Sequence, residues 1–140
     1  MRSIDADLPF VPVLQGQSIK DYHRCADLYE HRGVDLAAAA LVGVGSICRR
    51  QHTAEVEAIL RSLARRGFRL HAFGAKTLGL ARYAGAIASS DSLAWSFAAR
   101  WQPALPECRG HRRCNNCMTF ALRWRRRVIE TVDSFENHGS

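Results

Sequence analysis

Apolar and polar positions in this chain come in blocks whose period changes from segment to segment. Phe10-Val11-Pro12-Val13-Leu14 is a short apolar run that stops at Gln15-Gly16. From Ser18 to Arg32, the apolar positions Ile19, Tyr22, Cys25, Ala26 and Tyr29 recur three and four apart. That spacing predicts a helix with Ser18 as N-cap, Asp21 three residues on, and Gly33 as its stop. Ala37 to Val44 is a second apolar run, closed by Gly43-Val44-Gly45-Ser46. Thr53 is placed to cap a second helix carrying Val56, Ile59, Leu60 and Leu63 on one face, with Arg65-Arg66-Gly67 ending it. Phe68 to Phe73 predicts a third strand that ends at Gly74. A shorter helical piece, Leu78 to Tyr83, leads to Ala86-Ile87-Ala88-Ser89-Ser90, a fourth strand that delivers Asp91.

The rhythm is strand, helix, strand, helix, strand, helix, strand. Continuous apolar strands alternating with amphipathic helices predict parallel pairing through right-handed crossovers. In such α/β folds the reactive groups lie beyond the carboxyl ends of the strands. Gln15-Gly16, Gly43-Val44-Gly45, Gly74-Ala75-Lys76 and Asp91 all fall there. Each Gly-rich turn taken singly is also what any strand-to-helix junction uses.

Beyond Ser92 the pattern breaks, with Trp95, Phe97 and Trp101 in a stretch ending at Pro103 and Pro106. Met118 to Val132 then predicts a long basic helix: Phe120, Trp124, Val128 and Thr131 on one face, Arg123, Arg125, Arg126 and Arg127 on the rest. Three regions are expected: 1–106 with the strand-end motifs, 107–135 with a cysteine cluster and the basic helix, and a polar frayed tail over 136–140. At 140 residues and 47% hydrophobic content, the chain suits one core and is not a disordered polymer. No apolar run approaches a membrane span, and the first residues lack the apolar centre of a signal peptide, so a cytoplasmic location and no membrane partner are expected. The formal charge of +7 points to a polyanionic partner.

Three of the five cysteines crowd into Cys108-Arg109-Gly110-His111-Arg112-Arg113-Cys114-Asn115-Asn116-Cys117. An odd count in a cytosolic chain argues against a disulfide framework. Cys108, His111, Cys114 and Cys117 at three-residue intervals offer three thiolates and an imidazole, the donor set of a closed structural Zn2+ site. His138 is the fallback for His111. Four closed ligands leave no position for substrate, so the metal is expected to staple the segment. Asp91, for its part, ends an apolar strand. A carboxylate there can attack a sugar anomeric carbon and form a glycosyl ester; the alternative is an N-cap for the segment that follows.

Taken together, Phe10-Val11-Pro12-Val13-Leu14-Gln15-Gly16, Gly43-Val44-Gly45, Phe73-Gly74-Ala75-Lys76, Asp91-Ser92 and the Cys/His cluster resemble the tRNA-guanine transglycosylase superfamily. Gly45-Ser46-Ile47-Cys48-Arg49-Arg50, Leu70-His71-Ala72-Phe73-Gly74 and Ser90-Asp91-Ser92-Leu93-Ala94-Trp95 are most similar to the branch that places 7-deazapurines in DNA. The resemblance implies base exchange, with Asp91 as nucleophile at C1′ expelling guanine and a 7-deazapurine base attacking the covalent intermediate. Gln15 and Gly16 match the segment that reads the base edge, and Gly43 and Gly45 the turn whose backbone approaches it. His71, Gly74 and Lys76 are further candidates for substrate contact. Arg49, Arg50, Arg123 and Arg126 are candidates for holding the nucleic acid while the target base leaves its stack. DNA is favoured over tRNA as the polymer.

The resemblance also implies the C-terminal half of a (β/α)8 TIM-type barrel. A complete barrel needs ~250 residues, and only four strands are legible here. The family's second catalytic aspartate belongs to the first half. A fragment or split subunit is therefore expected, completed by a separately encoded N-terminal half-barrel or by homodimerisation. The alternatives are a queuine-type tRNA-guanine transglycosylase fragment and a noncatalytic zinc-stapled nucleic-acid-binding module.

Overall fold

The computed structural model describes residues 10–47, 54–75 and 77–136. Its elements are β1 (Val13–Leu14), α1 (Ile19–His31), β2 (Val42–Val44), α2 (Ala54–Ala64), β3 (Leu70–Ala72), α3 (Thr77–Tyr83), β4 (Ser89–Ser90), α4 (Ala94–Ala99) and α5 (Met118–Glu136). The strands form one parallel sheet in the order β1-β2-β3-β4. With crossovers of the usual right hand, an unreversed order sends every connecting helix to the same face. Accordingly α1 packs on α2, and α2 on α3.

Alternation along the strands divides the sheet chemically. Leu14, Val42, Val44, Leu70 and Ala72 face the helices and are essentially fully buried, together with Tyr22, Ala26, Val56, Ile59, Leu60 and Leu63. Burying each of the larger of these side chains contributes ~1.5–3 kcal/mol. Val13, Gly43, His71 and Ser89 stand in register on the opposite face. Two residues further on, at the carboxyl ends, come Gln15, Gly45, Phe73 and Asp91.

Helix ends are set locally. Ser18 and Asp21 form a reciprocal capping box at the start of α1. At its other end the Gly33 and Val34 amides return to the Glu30 and Tyr29 carbonyls at 2.9 and 3.1 Å, and Gly33 takes the left-handed φ of +83° that this closure needs. Arg66 fastens α2 to α1 through Asp27 at 2.8 Å and Glu30 at 2.6 Å, with its guanidinium stacked over Phe68.

The strands are shorter than the apolar runs that contain them. Phe10 to Pro12 lies outside β1, and Ala37 to Leu41 forms turns, because alanines and exposed positions there supply no side chains for a sheet face. Ala84–Ala86 is a 3-10 turn, so the predicted strand over 86–90 contracts to Ser89–Ser90. The stretch after Ser92, where no period is legible, holds α4. The basic helix runs from Met118 through Glu136, past the Val132 end expected for it, and 137–140 lie outside the described residues. The Thr53 cap also lies outside them.

α5 joins two apolar clusters. Val128 and Val132 pack against the sheet-and-helix core, whereas Phe120 belongs to a small second cluster with Ala99 and Cys114. No helix among the described residues is long and apolar enough to cross a membrane.

Candidate functional site

The carboxyl ends of the four strands gather one polar rim. Asp91 follows β4 and turns back toward β3: its Oδ1 accepts the Gly74 amide at 2.8 Å and lies 3.5 Å from His71 Nε2. It does not cap α4. Leu93 occupies the N-cap position without a side-chain hydrogen bond, and the Ala94 amide goes to Ser92 Oγ. His71 is set in turn by Ser89, whose Oγ lies 2.9 Å from Nδ1, and by the Phe73 ring, edge to face at 4.7 Å. Both of these contacts fall on Oδ1, and the Asp91 side chain remains 58% exposed.

On the β1–β2 side, Gln15 lies across Gly45. A Cβ at Gly45 would fall on the Gln15 amide, and one at Gly43 would come within 2.6 Å of the Phe73 ring. At Gly43 an aromatic ring fills the space, whereas at Gly45 the mobile end of Gln15 would have to move aside. Ser46, the non-glycine residue with positive φ (+59°), donates its hydroxyl to Gln15 Oε1 at 2.5 Å. Beneath them the buried Tyr22 hydroxyl donates to the Gly45 carbonyl at 2.6 Å. The rim thus has a polar, hydrogen-bonded half at Gln15-Gly45-Ser46 and an ionisable half at His71-Asp91.

Of the residues singled out by sequence, Gln15, Gly43, Gly45, His71, Gly74 and Asp91 come together here. Gly16 lies instead against the first turn of α1. Lys76, Arg49 and Arg50 lie outside the described residues. Arg123 is held by Glu107 at 2.5 Å, and Arg126 is exposed on α5. Sequence reading missed Ser46, Phe73 and Ser89 as site residues, since nothing in their spacing marks a contact partner. Arg125, from the basic run Arg123 to Arg127 that the sequence offers for holding the nucleic acid, shares a groove of about 370 Å³ with Asp91, Trp95 and Trp124.

A second constellation lies in the segment between α4 and α5. One donor atom from each of Cys108, His111, Cys114 and Cys117 falls within 4.8 Å of the others. Cys108 and Cys117 sulfurs are 3.5 Å apart, and His111 Nε2 is 3.3 Å from Cys114 Sγ. Ligand sulfurs on a tetrahedral ion with bonds of about 2.3 Å sit ~3.8 Å apart, so this group can hold a metal ion and its donors fit zinc. Cys117 precedes α5, and the Phe120 amide, aided by Cys108 and Cys114, holds its thiol down at about 7. Loss of hydration and the neighbouring thiols push Cys108 up to about 12. A divalent cation would reverse that second effect. The Leu105 amide donates to Cys114 Sγ at 3.4 Å, the outer contact expected of a ligating thiolate.

A parallel β/α sheet with a carboxylate at its strand ends, next to a segment whose three thiols and imidazole can hold a metal ion, defines an α/β protein with a rim site and a Cys/His appendage. The family model described as DpdA, DeoxyPurine in DNA protein A, matches residues 1–139. The chain belongs to that family, the 7-deazapurine DNA-modification transglycosylases, and membership implies DNA as substrate. No curated protein and no solved structure matches the chain.

Proposed function

We propose that the chain carries the nucleophile half of a base-exchange site that replaces guanine in DNA with a 7-deazapurine. The carrying observation is Asp91 tethered by Oδ1 at the strand ends. Gly74 and His71 hold Oδ1, which leaves Oδ2 as the attacking atom. Oδ2 attacks C1′ of the target nucleotide, the C1′–N9 bond breaks, and its electron pair leaves with guanine. The incoming base then attacks C1′, the ester bond breaks, and the carboxylate is restored. Two displacements give net retention, and the proton lost by the incoming base balances the one gained by guanine. His71 is a positioning residue for Asp91. Gln15, with its amide laid across Gly45, is the base-edge reader.

Zinc bound by Cys108, His111, Cys114 and Cys117 would act as a structural cross-link. Those residues anchor the start of α5 to the end of α4, where the apolar cluster alone is too small to fix a loop.

The test follows covalent adduct on guanine-containing DNA, using the full chain alone and in complex with any chain that co-purifies. Asp91→Ala and Asp91→Asn lose the denaturant-stable adduct, by at least about a thousandfold in rate. His71→Gln slows adduct formation with KM for DNA little changed. It also shifts the adduct rate less than His71→Ala does. Adduct that persists in Asp91→Ala overturns the assignment.

A further inference from the structure

The end of α4 opens into a cleft separate from the rim. Trp101, Gln102, Pro103, Arg112, Arg113 and Asn115 line a space of about 720 Å³. Trp101 is 76% exposed and Phe97 63%, and their rings meet edge to face at 6.5 Å. Neighbouring aromatic surfaces left in water mark a contact site.

The charge around them specifies its chemistry. Arg100, Arg112 and Arg113 are exposed, and Arg113 Nη1 donates to the Arg100 carbonyl at 2.6 Å, which fixes a guanidinium at the cleft wall. The acidic side chain of this loop, Glu107, is engaged by Arg123 on α5. A cationic cleft floored by an indole suits a polymer that alternates flat rings with phosphates. A protein partner would need an acidic face of its own.

We propose that this cleft takes an unpaired base of the DNA strand, with Trp101 stacking on it and Arg112 and Arg113 pairing with the flanking phosphates. The proposal rests on the reading of the chain as one that acts on DNA. Flipping one nucleotide unstacks its neighbours, and a second stacking site would hold the opened strand in place.

The experiment compares a duplex carrying a short central single-stranded gap with the same duplex fully paired, by fluorescence anisotropy across a salt series. Trp101→Ala weakens gapped-DNA binding by about tenfold with little change for paired duplex, while Trp101→Phe retains most of it. Arg112→Gln flattens the slope of log affinity against log salt by about one. Because Trp101 stands in solvent, the variants are expected to keep the wild-type circular dichroism. Gapped-DNA affinity unchanged in both Trp101→Ala and Arg112→Gln overturns the proposal. So does self-association, seen by sedimentation, that Trp101→Ala abolishes without touching DNA affinity; that result gives the cleft to a protein. Adduct at Asp91 is scored separately. Trp101-dependent binding without adduct, in the chain alone and in complex with any chain that co-purifies, overturns base exchange and keeps the cleft, and adduct that is indifferent to Trp101 does the reverse.

Discussion

At the scale of single residues, position within the sheet decides what each side chain does. Asp91 is an ordinary carboxylate until β4 ends beside β3, where the Gly74 amide and His71 take one of its oxygens. Gly43 lies under the Phe73 ring, where a Cβ would come within 2.6 Å of it. Tyr83 shows the opposite situation. Its hydroxyl is buried with no hydrogen-bond partner among the described residues, and burial pushes the group up to about 12. An unpaired buried hydroxyl costs free energy that removing it recovers. Tyr83→Phe is therefore expected to leave stability unchanged or raise it by up to about 2 kcal/mol in urea unfolding. Tyr22→Phe is the matching control, since it breaks the 2.6 Å bond to the Gly45 carbonyl and costs about 1–3 kcal/mol. A clear loss in Tyr83→Phe would mean that the hydroxyl has a partner in solution.

At the scale of elements, helix ends carry most of the ionic control. The Ser18 hydroxyl, then the backbone amides of Ser18 and Gln17, hold Asp21 below its ordinary value of 3.8. A depressed folded-state carboxylate contributes stability that is present above 3.8 and lost as pH falls through the lower folded value. Ser18→Ala is expected to move the Asp21 titration, followed by NMR, up toward 3.8, with little change in α1 at neutral pH. An unmoved titration would show that the box does not set it. The two helices that frame the appendage follow the same logic. α4 lacks a side-chain cap and ends at exposed aromatics, whereas α5 begins just after Cys117, whose thiol accepts the Phe120 and Thr119 amides of its first turn.

At the scale of the whole molecule, β1 and β4 each pair on one side only among the described residues, and Val13, His71 and Ser89 share the sheet face opposite the buried strand side chains. Exposed parallel edges invite pairing. We propose that strands beyond these four, or a second copy of the chain, complete the sheet as a barrel of the TIM type. Sedimentation of the purified chain is expected to show a weakly stable species without base-exchange activity; robust exchange by a stable monomer would overturn this. The metal group sets the other global dependence. Chelation, or Cys114→Ser at the buried thiol, is expected to release about one zinc per chain, measured by atomic emission, and to loosen α4 and the start of α5 while the α1–α2 helix pair persists. Full helicity after chelation would remove the structural role.

Much of this was legible beforehand because the signals are local. The helix period around Tyr22 and Ala26, the Ser18-Asp21 cap, the ligand spacing from Cys108 to Cys117 and the strand-helix rhythm each need only a few adjacent residues. They sufficed to indicate a parallel α/β sheet with Asp91 at a strand end, and a resemblance to deazapurine transglycosylases that the family match supports. Strand lengths, α4, the Ser89-His71-Asp91 chain and the Trp101 cleft depended on contacts between residues far apart in the chain. A spacing rule contains no term for such contacts. Whether Asp91 caps a helix or faces the rim is the plainest case: both are compatible with the same short peptide, and the neighbouring strand decides between them.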